Sequence, residues 1–185
     1  MDTSNEIAGD GDLPHPCIGN ARRLMVQSLK DQASVMIECV QNHTPSIMVI
    51  DEIGRSAEVL AARTSKHRGV RMIASAHGNL RSLLKNKDLV GLIGGVETIT
   101  LGDKEAEAEA ARKGFKEKNK QKTQRAGAPI FEIIVELRRG MYHEWIITTD
   151  SGKAVDDILD RKKYIVQRRS RDADTGAFHV RMDRL

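Results

Sequence analysis

Apolar residues recur along the chain with two different periods. From Gln32 to Asn42 they fall at Val35, Met36, Cys39 and Val40, a spacing that lines one face of a helix, and Pro45 closes it. Ile47–Ile50 is an uninterrupted apolar run and predicts a short strand buried on both faces. Ser56–Arg68 returns to helical spacing and is closed by Gly69. Val70–Ala76 predicts a second buried strand and Leu80–Lys87 a short helix; beyond Gly91, Gly94 and Gly95, Val96–Leu101 predicts a third strand. Upstream, Asp10–Pro16 is a Gly/Pro loop and Arg22–Val26 a short extended piece. Strands alternating with helices predict βαβ units and a parallel sheet, hence an α/β fold.

The pattern then changes. Asp103–Gln124 is rich in Ala, Glu and Lys with a weak apolar stripe, which predicts a solvated helix carrying Glu-to-Lys and Glu-to-Arg pairs. Gly127 and Pro129 break it, and Ile130–Leu137 with Tyr142–Thr148, joined by RRGM, predicts an antiparallel hairpin. Ala154–Leu159 suits one or two helical turns, Tyr164–Gln167 a last short strand, and the final residues read as loosely ordered. The expected divisions are residues 1–126 as the core, 127–169 as a hairpin and extension of the same domain, and 170–185 as a flexible basic tail. No internal repeat is visible.

Composition narrows the class. The chain has 185 residues, 39% apolar and 30% charged, which is globular and enough for one domain with a core. Its apolar runs are far shorter than a membrane span. Two cysteines, Cys17 and Cys39, form neither a disulfide framework nor a zinc motif and fit a reducing compartment. The net charge of +4 is unevenly spread, with RKK, RRSR and two further arginines after Arg161. That basic end can touch nucleic acid or be a plain solvated surface, having almost no aromatic residue for stacking bases. The opening MDTSNEIAGDGD is acidic and polar, neither a secretory signal nor a transit peptide, and the chain reads as beginning abruptly.

The candidate chemistry lies in IMVIDEIGRSAEVLAA, where the first strand runs into Asp51 and Glu52. Open parallel sheets place their sites at the carboxyl edges of strands. An Asp there can hold magnesium through water while the following Glu polarises an attacking water. The second strand ends in Ser75, Ala76, His77 and Gly78, so His77 faces the same crevice if the two strands are neighbours. The plainer account is that strands must leave the core and that acids cap the next helix.

DTSNEIAGDGDLPHPCIGNARR, IMVIDEIG, VRMIASAHG and LIGGVETITLGD together resemble successive blocks of one P-loop ATPase family, that of stage III sporulation protein AA. The likeness is especially to plastid and cyanobacterial members, whose ATPase domain is associated with an Arg-xxx-His single-strand nucleic-acid-binding domain. It covers roughly residues 1–150 in order and spacing. The resemblance implies an AAA-like core of the additional-strand P-loop class, ATP and Mg²⁺ as ligands, and a chloroplast setting. It also implies that Asp51 is the magnesium-side acid of the Walker B strand, Glu52 the water-activating base and His77 a γ-phosphate sensor. Glu6 would be a further acid near the nucleotide. Arg22 and Arg23 would be trans-acting arginines in a ring, against the plainer reading of surface salt bridges.

One departure is large. A phosphate loop needs G-x-x-x-x-G-K-[ST], whose amides and lysine grip the phosphates. The only Gly-Lys pair here is Gly152–Lys153, followed by Ala154 and lacking the earlier glycine. By the resemblance, the chain starts at the strand ending in DTSNE, so the family's first strand, phosphate loop and first helix are missing. A gap is then expected in the sheet, with unpaired buried groups costing about 1–3 kcal/mol each unless flanking strands close up or a partner fills in. Three readings follow. The chain is a truncated ATPase of this family whose function is ATP hydrolysis, a non-catalytic remnant that binds a full-length relative or nucleic acid through its basic end, or a metal-dependent hydrolase using Asp51, Glu52 and His77. By itself it is expected neither to bind ATP tightly nor to hydrolyse it.

Overall fold

A computed structural model of the chain describes residues 1–113 and 119–185. They form two compact units, Met1–Leu92 and Ile93–Leu185, a division that falls earlier than the one expected after residue 126.

In the first unit, a 3-10 turn at Pro16–Ile18 precedes helix α1 (Gln32–His43), strand β1 (Ile47–Ile50), helix α2 (Ser56–His67), strand β2 (Arg71–Ala74) and helix α3 (Leu80–Lys85). On α1 the buried residues are Gln32, Met36, Cys39 and Val40, one stripe at helical spacing. It packs on α2, whose small residues Ala61, Ala62 and Ser65 are buried and allow close approach. β1 and β2 run parallel in register, Ile47 opposite Arg71 and Ile50 opposite Ala74. Met36, Ile50, Ile53 and Leu80 are fully buried, each stabilising the unit by about 1.5–3 kcal/mol.

β1 departs from its expected environment. Met48 and Ile50 are buried, but Ile47 and Val49 are exposed, as is Ile73 on β2. The strand alternates between a dry and a wet face, because only one side of this two-stranded sheet is covered; the apolar run alone reads as if both were.

The second unit begins at the last residue of a 3-10 turn, Val90–Ile93, and contains β3 (Val96–Thr100), α4 (Asp103–Lys113), β4 (Gln121–Arg125), β5 (Ile134–Leu137), β6 (Glu144–Thr148), α5 (Ser151–Leu159), β7 (Ile165–Arg171) and β8 (Phe178–Arg184). β3 is not a third parallel strand. It pairs antiparallel with β4, inside the stretch expected to be helix as far as Gln124. That expectation holds for Asp103–Lys113 and partly lies outside the described residues, at 114–118. QKTQR offers no apolar stripe to distinguish helix from strand. Long-range partners decide it: Gln124 Nε2 donates to Glu97 Oε1 at 2.9 Å, and Lys120 pairs with Asp103 on α4 at 2.7 Å. Gly94 admits β4 alongside: its φ is +104°, and a Cβ there would lie 2.6 Å from the Gly127 carbonyl oxygen.

The expected hairpin is present as β5 and β6, with Ile134 opposite Thr148 and Leu137 opposite Trp145. It continues into a four-stranded antiparallel sheet in the order β5-β6-β7-β8. Residues 170–185, expected to be a flexible tail, instead complete β7 and supply the turn and the whole of β8, with Arg171 opposite Phe178 and Ile165 opposite Arg184. Alternating polar and apolar residues in FHVRMDR pair with a matching stretch of β7, a match that a scan for buried runs passes over. α5, capped by Asp150 through Lys153 N–H at 2.8 Å, buries Ala154 and Val155 and packs against β4, while Ile146 and Val166 are buried on one face of the large sheet.

The architecture among the described residues is thus mixed α/β: one two-stranded parallel sheet, one two-stranded and one four-stranded antiparallel sheet. The three-stranded parallel core expected for residues 47–101 is absent, and β2 and β3 belong to different sheets.

Candidate functional site

Asp51 and Glu52 follow β1 directly, and Ser75 to Gly78 follow β2, so the parallel register brings two chain reversals to the same edge. The reversals are laced together. Ser75 N–H donates to the Ile50 carbonyl at 3.2 Å, Ile53 N–H to the Ser75 carbonyl at 2.8 Å and Glu52 N–H to Ser75 Oγ at 2.8 Å. Ser75 Oγ in turn donates to Asp51 Oδ1 at 3.3 Å. The Asp51 carbonyl accepts from Gln32 Nε2 of α1 at 2.6 Å, and its N–H donates to the Met1 carbonyl at 3.1 Å. The backbone bearing the first acid is therefore held from three directions.

The two carboxylates differ in surroundings. Asp51 Oδ2 is buried with no hydrogen-bond partner. Glu52 has a φ of +49°, the left-handed region, and its Oε1 lies 2.8 Å from His77 Nε2, an ion pair when the imidazole is protonated. His77 is 89% exposed, so nothing buries that contact. Neither acid caps the next helix. Glu58 does so, buried within α2 and accepting from Gly54 N–H at 2.8 Å and Arg55 N–H at 3.0 Å.

Of the residues expected at the site, Asp51, Glu52 and His77 are thus brought together. Glu6 is exposed, in a turn closed by the buried carboxylate of Asp2, which accepts from the N–H groups of Glu6, Ile7 and Ala8 at 3.0, 3.1 and 2.8 Å. Arg23 spends its guanidinium on the carbonyls of Gly9 and Gly11, at 2.9 and 2.7 Å. Arg22 lies 2.7 Å from His43 Nδ1. Both arginines line a separate cavity of about 680 Å³ with Cys17 and Cys39. Burial raises the thiol pKa of Cys39, which keeps it protonated. Ser75 and Gln32 hold the site and have weak signals in sequence: Ser75 is a small polar residue just past a strand, and a glutamine in the first turn of a helix ordinarily faces water.

Among the described residues, no three His, Cys, Asp or Glu side chains converge as a metal-holding group. A lone carboxylate with one buried, unpartnered oxygen nevertheless suits magnesium, which keeps several waters and is usually bound through one or two carboxylates plus substrate phosphates. The residues do not suit a triphosphate gripped by a phosphate loop, since the 185 residues contain no such loop.

No family model and no solved structure matches the chain. Among curated proteins it is 46% identical over 170 residues to the uncharacterized protein ycf45 of Porphyra purpurea, covering 91% of this chain and 28% of that protein. It is 48% identical over 138 residues to the protein SEEDLING PLASTID DEVELOPMENT 1 of Arabidopsis thaliana, covering 74% of this chain and 19% of that protein. A more distant similarity, 32% over 91 residues, links 48% of the chain to 29% of the stage III sporulation protein AA of Bacillus subtilis. The chain spans less than a third of the length of each of these relatives. It is homologous to plastid ycf45-like proteins, and its link to the sporulation protein is distant and partial.

Proposed function

We propose that the edge formed by Asp51, Glu52, Ser75 and His77 is the acid-and-sensor half of an ATP-hydrolysing site of the P-loop kind, working in a chloroplast. The observation that carries this reading is the convergence of Glu52 and His77 at 2.8 Å beside an Asp51 oxygen left buried and unpartnered. Ser75 fixes Asp51 through its hydroxyl and Glu52 through its backbone, so the two carboxylates keep distinct directions. Asp51 would hold a magnesium ion through its bound waters. Glu52 aligns the attacking water and accepts its proton. His77 holds the Glu52 carboxylate in the present arrangement, and turning toward an incoming phosphate oxygen releases it for that task. Magnesium, when bound, neutralises charge on the phosphates.

This reading requires a phosphate grip that the 185 residues do not contain, supplied by a longer polypeptide or a full-length relative. The test is Glu52→Gln in a polypeptide that joins this segment to a phosphate loop. Turnover should fall by a factor of about 100 or more with nucleotide affinity retained, because the base is lost and the grip is not. Unchanged turnover would remove Glu52 from the chemistry. Loss of nucleotide affinity along with turnover would make its role structural.

A further inference from the structure

The four-stranded sheet of the second unit has one face that no described element of that unit covers. Directly opposed residues in an antiparallel ladder point the same way, so the register defines the face row by row. One row is Leu137, Trp145, Arg169 and Val180; the next is Val135, Ile147, Gln167 and Met182. Arg171 with Phe178 and Ile165 with Arg184 extend it at the two ends of β7 and β8. The residues pointing the other way include the buried Ile146 and Val166, so this is the side away from the core. Six of its apolar members are open to solvent, from 49% for Ile165 to 71% for Leu137, while Trp145 and Ile147 are half-buried among them. Bare apolar area on that scale marks an interaction surface.

The charge on the face is of one sign. Arg169, Arg171 and Arg184 point this way, and no paired position of the same face is acidic. The contrast with the other face is sharp: Arg168 pairs with Glu144 at 2.7 Å and with Asp183 at 3.2 Å. Arg169 is held by Gln167 Oε1 at 2.9 Å, and Arg171 lies over the Phe178 ring at 5.7 Å. The rings of Phe178 and Trp145 are 6.2 Å apart. Trp145, Arg171 and Tyr142 also line one hollow of about 390 Å³. Asp172 lines it too, but its Oδ1 is taken up within its own turn by Thr175 N–H at 2.7 Å and Thr175 Oγ1 at 2.8 Å. Three of the chain's few aromatic residues therefore gather with unneutralised arginines at one end of an open sheet.

We infer that this face binds single-stranded nucleic acid, with Trp145 and Phe178 stacking bases and Arg169 and Arg171 meeting phosphates. The charge selects the occupant: a second copy laid on this face would bring arginine against arginine with no acid between them, whereas a polyanion with exposed π faces complements both the charge and the rings. A duplex hides the base faces that the rings need. The inference stands apart from the ATPase reading, which concerns the other unit.

The test is fluorescence anisotropy of a labelled single strand of about 16 nucleotides titrated with the chain at several salt concentrations. Saturable binding is expected. The Arg169→Ala/Arg171→Ala variant should bind at least about tenfold more weakly, with the log–log salt slope reduced by about 1.4. Phe178→Ala should also lose about tenfold through lost stacking, and an Arg68→Ala/Lys87→Ala control on the first unit should lose little. Trp145, the chain's single tryptophan, should be quenched by the bound strand. All four substituted positions in the two arginine–lysine variants are exposed, so the folded state survives the changes. Failure to bind, undiminished binding by the Arg169/Arg171 variant, or equal affinity for a duplex would overturn the proposal. A concentration-dependent dimer abolished by Phe178→Asp would assign the face to a second copy, and selective binding of polyglutamate would assign it to an acidic protein.

Discussion

Glu52 is a non-glycine residue at a φ of +49°, a conformation that costs a side chain-bearing residue roughly 1–2 kcal/mol and persists where its surroundings enforce it. Here the enforcement is visible in two bonds that Ser75 accepts, one from Glu52 N–H to its hydroxyl and one from Ile53 N–H to its carbonyl. Asparagine tolerates the left-handed region better, so Glu52→Asn should keep or raise unfolding stability, by up to about 1 kcal/mol in urea, while removing the His77 contact. A loss of more than that would mean the carboxylate itself supports the fold. At this scale the sequence was partly legible. Paired acids after an apolar run announce themselves, and so does a histidine just past the next strand. Gln32, fully buried with its amide on the Asp51 carbonyl, does not, because its role exists only once α1 has packed beside β1.

Elements were readable where their own residues decide them. α1 and α2 follow from apolar spacing and lie within a residue or so of their expected bounds. β4 and β8 were not readable, because partners far along the chain make them strands. Within the large sheet, the guanidinium of Arg168 joins Glu144 of β6 to Asp183 of β8. It holds the Glu144 carboxyl below its usual value, and the Asp183 carboxyl is held down by the Arg184 N–H and by Arg168. Carboxylates with depressed folded-state pKa stabilise the fold above their ordinary values, and that contribution is lost as pH falls through the lowered ones. Arg168→Met should therefore be less stable than the parent at neutral pH, with the gap closing as pH falls below the ordinary carboxylate range and both acids protonate in either protein. Urea unfolding across that range measures the gap, and one that persists into acid would point to packing of the arginine stem instead.

For the molecule as a whole, the expectation of one parallel-sheet core gives way to two units with separate sheets. The parallel pair β1–β2 was legible, as were the β5–β6 hairpin, α5 and the start of β7; β4 and β8 were not, since short polar strands leave little pattern. The same scale governs nucleotide binding. Asp51 and Glu52 meet a polyanion with repulsive charge, and the basic residues of the second unit attract it only loosely and with strong dependence on salt. Mg–ATP titrated calorimetrically into this chain at physiological salt should give no saturable binding tighter than about 10 µM. Tight binding lost on Asp51→Ala would reveal a phosphate grip of another design.

The wet side of the β1–β2 pair has a consequence in time. Parallel pairing of these strands must wait for the intervening helix-bearing loop to close, so Ile47, Val49 and Ile73 stay open throughout the search. Completion of this unit leaves the same residues uncovered. The folded unit thus keeps bare the same apolar side chains that make its unpaired strands prone to association while it folds.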